Sequence, residues 1–334
     1  MPSLANLPVE IWERIIRDAA GPANPISNSD FPWIYSFRSE SRLRAARKQR
    51  LRKLQLLSAV ARSWRELCII LSYETFLLGE GNPTPLRWLL NTQLPRFPSL
   101  FHRTRGLIVD FPCPGVTISE SIAPFVELVG EMPVLQDLAL HISPFQPRRR
   151  TENRLMERGV IEALRLIRSR LLFLQIQDAM GRDLSHECIL TDRSVEILSA
   201  LAPNLTRLIC AVKVDKPSLS DPAPNFPKLQ VLHLQLHTDR SEQASVHKWF
   251  HRWRLGALKQ FGVGYGVGIP IWEWVSMLLT SHNGQNLEVL DVGVSISPVS
   301  VRGASPSNEV HRQPLLWPWT SLPPYGLSVR NCIQ

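Results

Sequence analysis

Hydrophobic and polar positions alternate in two different rhythms along this chain, a helical one near the start and a strand-and-helix one that repeats through most of the remaining length. Ile11, Ile15 and Ala19 recur at every fourth residue with Trp12 and Ile16 beside them, which predicts a helix with one broad apolar face. Pro8 suits the first helical position, Glu10 and Glu13 suit the positive end of the helix dipole, and Gly21-Pro22 stops the helix. So short a helix must bury its face on something. A second apolar segment, Leu54, Leu57, Val60, Ala61, Trp64, Leu67 and Cys68, predicts its partner, and residues 21–41 between them read as loop. Tyr73–Leu78 has strand character.

Beyond it the core Leu-x-x-Leu-x-Leu recurs. It appears as Leu135/Leu138/Leu140, Leu171/Leu174/Ile176, Leu205/Leu208/Cys210 and Leu229/Leu232/Leu234. It continues as Leu258/Phe261/Val263 and Leu287/Leu290/Val292, after a weaker first copy at Thr104/Leu107/Val109. Helix-like stretches lie between at 119–131, 154–169, 192–201, 242–254 and 271–281. One strand plus one helix cannot bury its apolar face alone, so the units are expected to stack into a solenoid with a continuous core. Strand alternation sends Leu232, Leu234 and Leu236 inward and His233, Gln235 and His237 outward. From Ser297 the pattern stops, and a proline-rich stretch reads as coil, either disordered or folded back through Leu315, Leu316, Trp317 and Trp319 as a cap.

Leu7-Pro8, the acidic Glu10, the aliphatics Ile11, Ile15 and Ile16, and then Leu57-x-x-Val60-x-x-x-Trp64-Arg65 together resemble the F-box motif. The resemblance covers residues 1–72 and departs from the family in a long insert over 21–50, whose Phe31-Pro32-Trp33 core and basic stretch look like those of fungal F-box proteins. The repeats resemble the leucine-rich-repeat horseshoe, with parallel strands on the concave face and helices outside. The asparagine expected three residues after the last repeat leucine is missing, with Ser143, Ala179, Lys213, His237, Gly266 and Ser295 in those places. The expected fold class is therefore α/β: an F-box-like helical domain at 1–72, a leucine-rich-repeat-like solenoid at 73–296, and a tail at 297–334.

Composition narrows this little. The 334 residues are 44% hydrophobic and 20% charged, as in an ordinary globular protein. Five scattered cysteines without a Cys-x-x-Cys pair argue against a zinc site and a disulfide framework. No apolar run approaches the ~20 residues of a membrane span, and no signal pattern opens the chain, so the expected location is cytoplasmic, nuclear or both. The net charge of +9 is concentrated in Arg42, Arg44, Arg47, Lys48, Arg50, Arg52 and Lys53 and in the triplet Arg148–Arg150. The first run reads as a solvated helix face, with a nuclear-import signal as the alternative. Nothing interleaves aromatics with these cations as a single-strand binder does, so nucleic acid is not expected.

Candidate chemistry is sparse. His247 and His251 have metal-ligand spacing, but a helix pair and the strand histidines His233 and His237 should point apart, as surface side chains. The run Gly262–Gly268 alternates its glycines and lacks a following helix start, which predicts a flat concave patch open to a partner's backbone rather than a phosphate cradle. No nucleophile elbow or Walker loop is present. Neither an enzyme, a metal nor a cofactor is expected.

The F-box resemblance implies an adaptor of a Skp–cullin–F-box ubiquitin ligase. Docking on the Skp-type linker subunit falls to Leu7, Pro8, Ile11, Trp12, Ile15, Leu57, Val60 and Trp64. A target protein would be held by the outward concave residues Asp110, His141, Gln175, Gln177, Lys213, His233, Gln235, His237 and Asp291. The alternative is a repeat scaffold for protein or nucleic acid whose N-terminal helices only cap the solenoid. Exposure separates the two: the Leu7–Ile16 face stays partly open in the adaptor and is buried in the scaffold.

Overall fold

The computed structural model describes residues 7–21, 37–78, 86–111, 117–142, 150–178, 190–214, 223–237, 243–264, 286–294 and 328–333. Its N-terminal part is built of three helices rather than two: α1 (Val9–Ala20), α2 (Phe37–Ser58) and α3 (Arg62–Ser72). Pro8 stands just before α1 rather than inside it, and its carbonyl accepts the Ile11 and Trp12 N–H groups at 3.0 and 3.2 Å. Gly21 ends α1 at φ +89°, a left-handed backbone that suits glycine. The loop expected over 21–41 is already helical from Phe37. The second apolar segment is cut at Ala61, whose extended φ of −148° separates α2 from α3. Cutting it lets Leu54 of α2 and Cys68 and Leu71 of α3 meet Ile16 and Ala20 of α1 in one small core, with Leu57, Trp64 and Leu67 packed against it.

A single open parallel sheet follows. Its strands are β1 (Thr75–Leu78), β2 (Gly106–Phe111), β3 (Asp137–Ile142), β4 (Phe173–Asp178), β5 (Leu190–Thr191) and β6 (Arg207–Lys213). It continues with β7 (Val231–His237), β8 (Gln260–Gly264), β9 (Val289–Val294) and β10 (Ser328–Ile333). Nine of them lie side by side in chain order, and the two-residue β5 pairs beside β6. The repeat register is the one the leucine pattern predicts: Leu107, Leu138, Leu174, Leu208, Leu232, Phe261 and Leu290 are successive neighbours. These residues are buried, as are the leading positions Thr104, Leu135, Leu171, Leu205, Leu229, Leu258 and Leu287.

Between β1 and β2 come the short helices α4 (Leu86–Trp88), α5 (Leu94–Arg96) and α6 (Pro98–Phe101), with a π-helical turn at Leu89–Gln93. Longer helices follow as α7 (Ile118–Gly130), α8 (Arg150–Ile167), α9 (Asp192–Leu201) and α10 (Gln243–His251). Thr117 and Glu120 form a capping box that starts α7. Phe125, Leu128, Leu164, Val195, Trp249 and Phe250 from these helices share one core with the inward leucines, so the described helices cover one face of the sheet. The helix expected at 271–281 and the aromatic tail residues Trp317 and Trp319 lie outside the described residues.

The turns ahead of the strands are stitched together. Each carbonyl of Glu74, Arg105, Gln136, Leu172, Thr206, Gln230 and Lys259 accepts two N–H groups from the start of the next strand, at 2.7–3.1 Å. Side chains add a second line: Asn204 donates to the Ser169 carbonyl at 2.6 Å, Asn286 to that of Gly256 at 2.8 Å, and Arg170 to that of Pro133. The stretch expected to be coil after Ser297 also contributes a strand, since β10 pairs with β9 along its whole length.

Candidate functional site

The docking residues inferred from the sequence divide into two groups. Leu57 and Trp64 pack against the three-helix core, and Trp12 meets Trp64 with ring centroids 5.2 Å apart. These hold the helices together. Ile11 and Ile15, one turn apart on α1, are 42% and 41% exposed, and Val60 is 66% exposed. Pro8 is exposed and Leu7 half-buried. On the helical unit three further open apolar side chains lie outside the inferred set: Val9, Leu56 and Ile69. Leu56 stands near the end of α2 and Val60 in the turn before the break at Ala61.

The basic run is not uniformly solvated. Lys48, Arg52 and Lys53 are exposed, but Arg47 and Arg50 turn inward. Arg50 Nη2 donates to Glu74 Oε2 at 2.7 Å, and Arg17 donates to Glu74 Oε1 through Nε at 3.1 Å and Nη2 at 2.6 Å. Arg17 Nη2 also reaches Glu13 at 2.7 Å, and Arg50 donates to the Gly21 carbonyl that ends α1. Arg47 donates to the Thr75 carbonyl at 2.7 Å, and burial lowers its pKa to about 10, so it stays charged at neutral pH. Burial likewise lowers the Arg50 guanidinium, against the pull of Glu74. Glu74 therefore ties α1 and α2 to the start of the sheet, and its own carbonyl holds the head of β2 through Arg105 and Gly106 at 2.9 Å. The only sequence signal for it is a lone carboxylate between an apolar helix and an apolar strand.

On the sheet face away from the helices, four of the nine polar residues inferred as a recognition strip are not open to solvent. Asp110, His141, Gln175 and His233 are all buried. Asp110 and His141 are register neighbours, with His141 Nδ1 3.3 Å from Asp110 Oδ1. Gln175 and His233 fall in a row with Ile108, Ala139, Ile209 and Gly262. Ile108, Ala139, Phe173 and Ile209 form a second, smaller core there, with Leu77 against it. The expectation failed because strand alternation decides which face a side chain takes and not whether that face meets water. Lys213 is half-buried, in register with His237. Gln177 is in register with His141, Gln235 with Ala211, and Asp291 with Gly262, while the side chains of Gln177, Gln235, His237 and Asp291 lie outside the described residues.

His233 is also no surface histidine, being 1% exposed with its ring over Gly262 and Nε2 3.4 Å from Gln260 Nε2. The open patch expected at Gly262 is thus filled by a neighbour's imidazole; the glycines from Gly266 onward lie outside the described residues. Burial pushes the His233 pKa down from 6.5 to about 3. The unfolded chain therefore takes up a proton near pH 6.5 that the folded one refuses until near 3, and stability is lost as pH falls through that window. Chemical denaturation at pH 6 and pH 5 should show the wild type losing about 1 kcal/mol more than His233→Gln between the two. Equal losses would mean that His233 titrates normally in the folded chain.

His247 is half-buried and His251 exposed on α10. Among the described residues no group of three His, Cys, Asp or Glu side chains is placed to hold a metal ion, and no helix is long and apolar enough to cross a membrane. Compared with known proteins, the chain matches no family model and no curated protein.

Proposed function

We propose that this chain is a substrate-recognition adaptor of a Skp–cullin–F-box ubiquitin ligase, with α1–α3 as an F-box docking on the Skp-type linker subunit and the sheet region as a leucine-rich-repeat-like solenoid that holds the target. The observation that carries this reading is the set of open apolar side chains on the helical unit: Ile11, Ile15 and Val60 with Val9, Leu56 and Ile69. Several open large aliphatics on so small a unit offer a partner apolar surface to cover. Fully burying one such side chain contributes about 1.5–3 kcal/mol. The adaptor itself makes and breaks no bonds; it raises the effective concentration of target lysines near the conjugating enzyme.

Titration of purified linker subunit into the full chain tests it. Sub-micromolar binding is expected, weakened roughly 100-fold by Ile11→Asp, which removes an apolar contact and brings a charge into the interface. Because Ile11 is outside the small core, that variant should melt like the wild type. Absence of binding by the folded wild type, or an unchanged affinity in Ile11→Asp, would overturn the reading. The scaffold alternative draws on a different observation, the Arg17–Glu74–Arg50 cluster that seats the helices on the start of the sheet as a cap would be seated.

A further inference from the structure

The turns that lead into the strands carry mostly positive charge. Across residues 101–105, 131–136, 167–172, 202–206, 225–230, 252–259 and 286–288 stand eight cations, Arg103, Arg105, Arg168, Arg170, Lys228, Arg252, Arg254 and Lys259, against Glu131 and Glu288. Glu288 is taken up by Lys259 at 2.9 Å. Arg103, Arg105, Arg168 and Arg254 are exposed, and none makes an ion pair among the described residues.

Register orders these charges. Three residues ahead of each strand from β2 to β9, omitting the short β5, stand Arg103, Val134, Arg170, Asn204, Lys228, Ala257 and Asn286, a row of donors and apolar groups without a carboxylate. Arg103, Arg170 and Lys228 occupy every second place in it, which sets them about 9.5 Å apart along the edge. Lys228 reaches the neighbouring turn through the Asn204 side chain at 2.7 Å, and Arg170 does so through the Pro133 carbonyl while also donating to the Leu166 carbonyl of its own helix at 2.7 Å. Those bonds position Lys228 and Arg170.

We propose that this leading edge of the sheet is an interaction surface for an extended, acidic polypeptide segment. An extended chain advances about 3.1–3.4 Å per residue, so carboxylates three residues apart match the spacing of the cations. A polypeptide fits better than nucleic acid. Among the rings of these turns Phe101, Phe226 and Trp253 are buried, and the open rings, His102 and the nearby Phe97, stand at one turn only, so no series of stacking platforms runs along the edge for successive bases. A row of turns also presents no helix or ribbon to a duplex groove. The proposal does not rest on the adaptor reading, since none of these cations belongs to the apolar docking set of α1–α3.

Fluorescence anisotropy on the full chain tests it with a labelled peptide of Glu-Gly-Ser repeats, a Lys-Gly-Ser counterpart and an oligo-dT of matched charge as probes. Binding of the acidic peptide alone is expected, falling with added salt. It should drop about tenfold in Arg103→Glu/Arg105→Glu and less in Arg103→Gln/Arg105→Gln. The variant Arg52→Glu/Lys53→Glu changes net charge equally on exposed positions of α2 and should bind as the wild type does. No binding by the wild type, or an equal loss in the α2 variant, would overturn the proposal. Tighter binding of oligo-dT than of the acidic peptide at the same salt would overturn it in favour of nucleic acid.

Discussion

Glu74→Gln is expected to lower the free energy of unfolding by about 3–5 kcal/mol, the range for a buried ion pair that loses one partner. The substitution keeps the shape of the side chain, so the loss reports charge. Arg50 and Glu74 are each less than a tenth exposed, and a guanidinium cannot shed its proton at neutral pH to escape burial. Arg17 keeps Glu13 as a second charged partner, whereas among the described residues Arg50 keeps no second carboxylate, only the Gly21 and Leu71 carbonyls. Because Glu74 joins α1 and α2 to β1 and β2, the penalty should fall on the helical unit and the sheet together. Urea denaturation followed by far-UV circular dichroism reads the effect, and Arg50→Met/Glu74→Leu should recover most of the loss by removing both charges. A Glu74→Gln variant within 1 kcal/mol of the wild type would mean that the cluster is not held as described.

Gly262→Ala should cost about 2–3 kcal/mol although it adds a single methyl group. A Cβ at this position would stand 2.7 Å from Cγ of His233 and closer still to Nδ1 and Cε1. Neither partner can move cheaply: both sit in paired strands, and the ring is enclosed. The diagnostic measurement is the double-mutant cycle. His233→Ala makes room for the new methyl group, so His233→Ala/Gly262→Ala should be about as stable as His233→Ala alone, a coupling of roughly 2 kcal/mol. Additive losses would show that the two positions do not share the space.

The repeat was legible because it is a local pattern repeated. Each Leu-x-x-Leu-x-Leu places its second and third members on one side of a strand, so seven copies predict seven neighbouring strands, and Leu107 through Leu290 stand in that register. The first helix and its glycine stop were legible for the same reason. The helix expected at 192–201 lies at Asp192–Leu201 because Thr191 caps it from the preceding residue. The break at Ala61 was not legible: LQLLSAVARSW continues a helical period, and only packing onto α1 selects two shorter helices.

Local periodicity by itself determined the inward leucines and the apolar face of α1, because each depends on neighbours three to seven residues away, and the recurrence of the unit pointed to strands stacked in chain order. Tertiary structure alone decided what the polar residues do. Arg50 turns inward because Glu74, 24 residues on, offers it a buried charge. His233 turns from a predicted surface side chain into a buried ring because Gly262, on the next strand, leaves it space. Ile11 and Val60, apolar by type and read from the sequence as docking residues, stay open because the small core has already closed around Ile16, Leu54 and Leu71. A side chain's chemistry travels with the sequence; its access to water is set by partners that only the folded chain brings near.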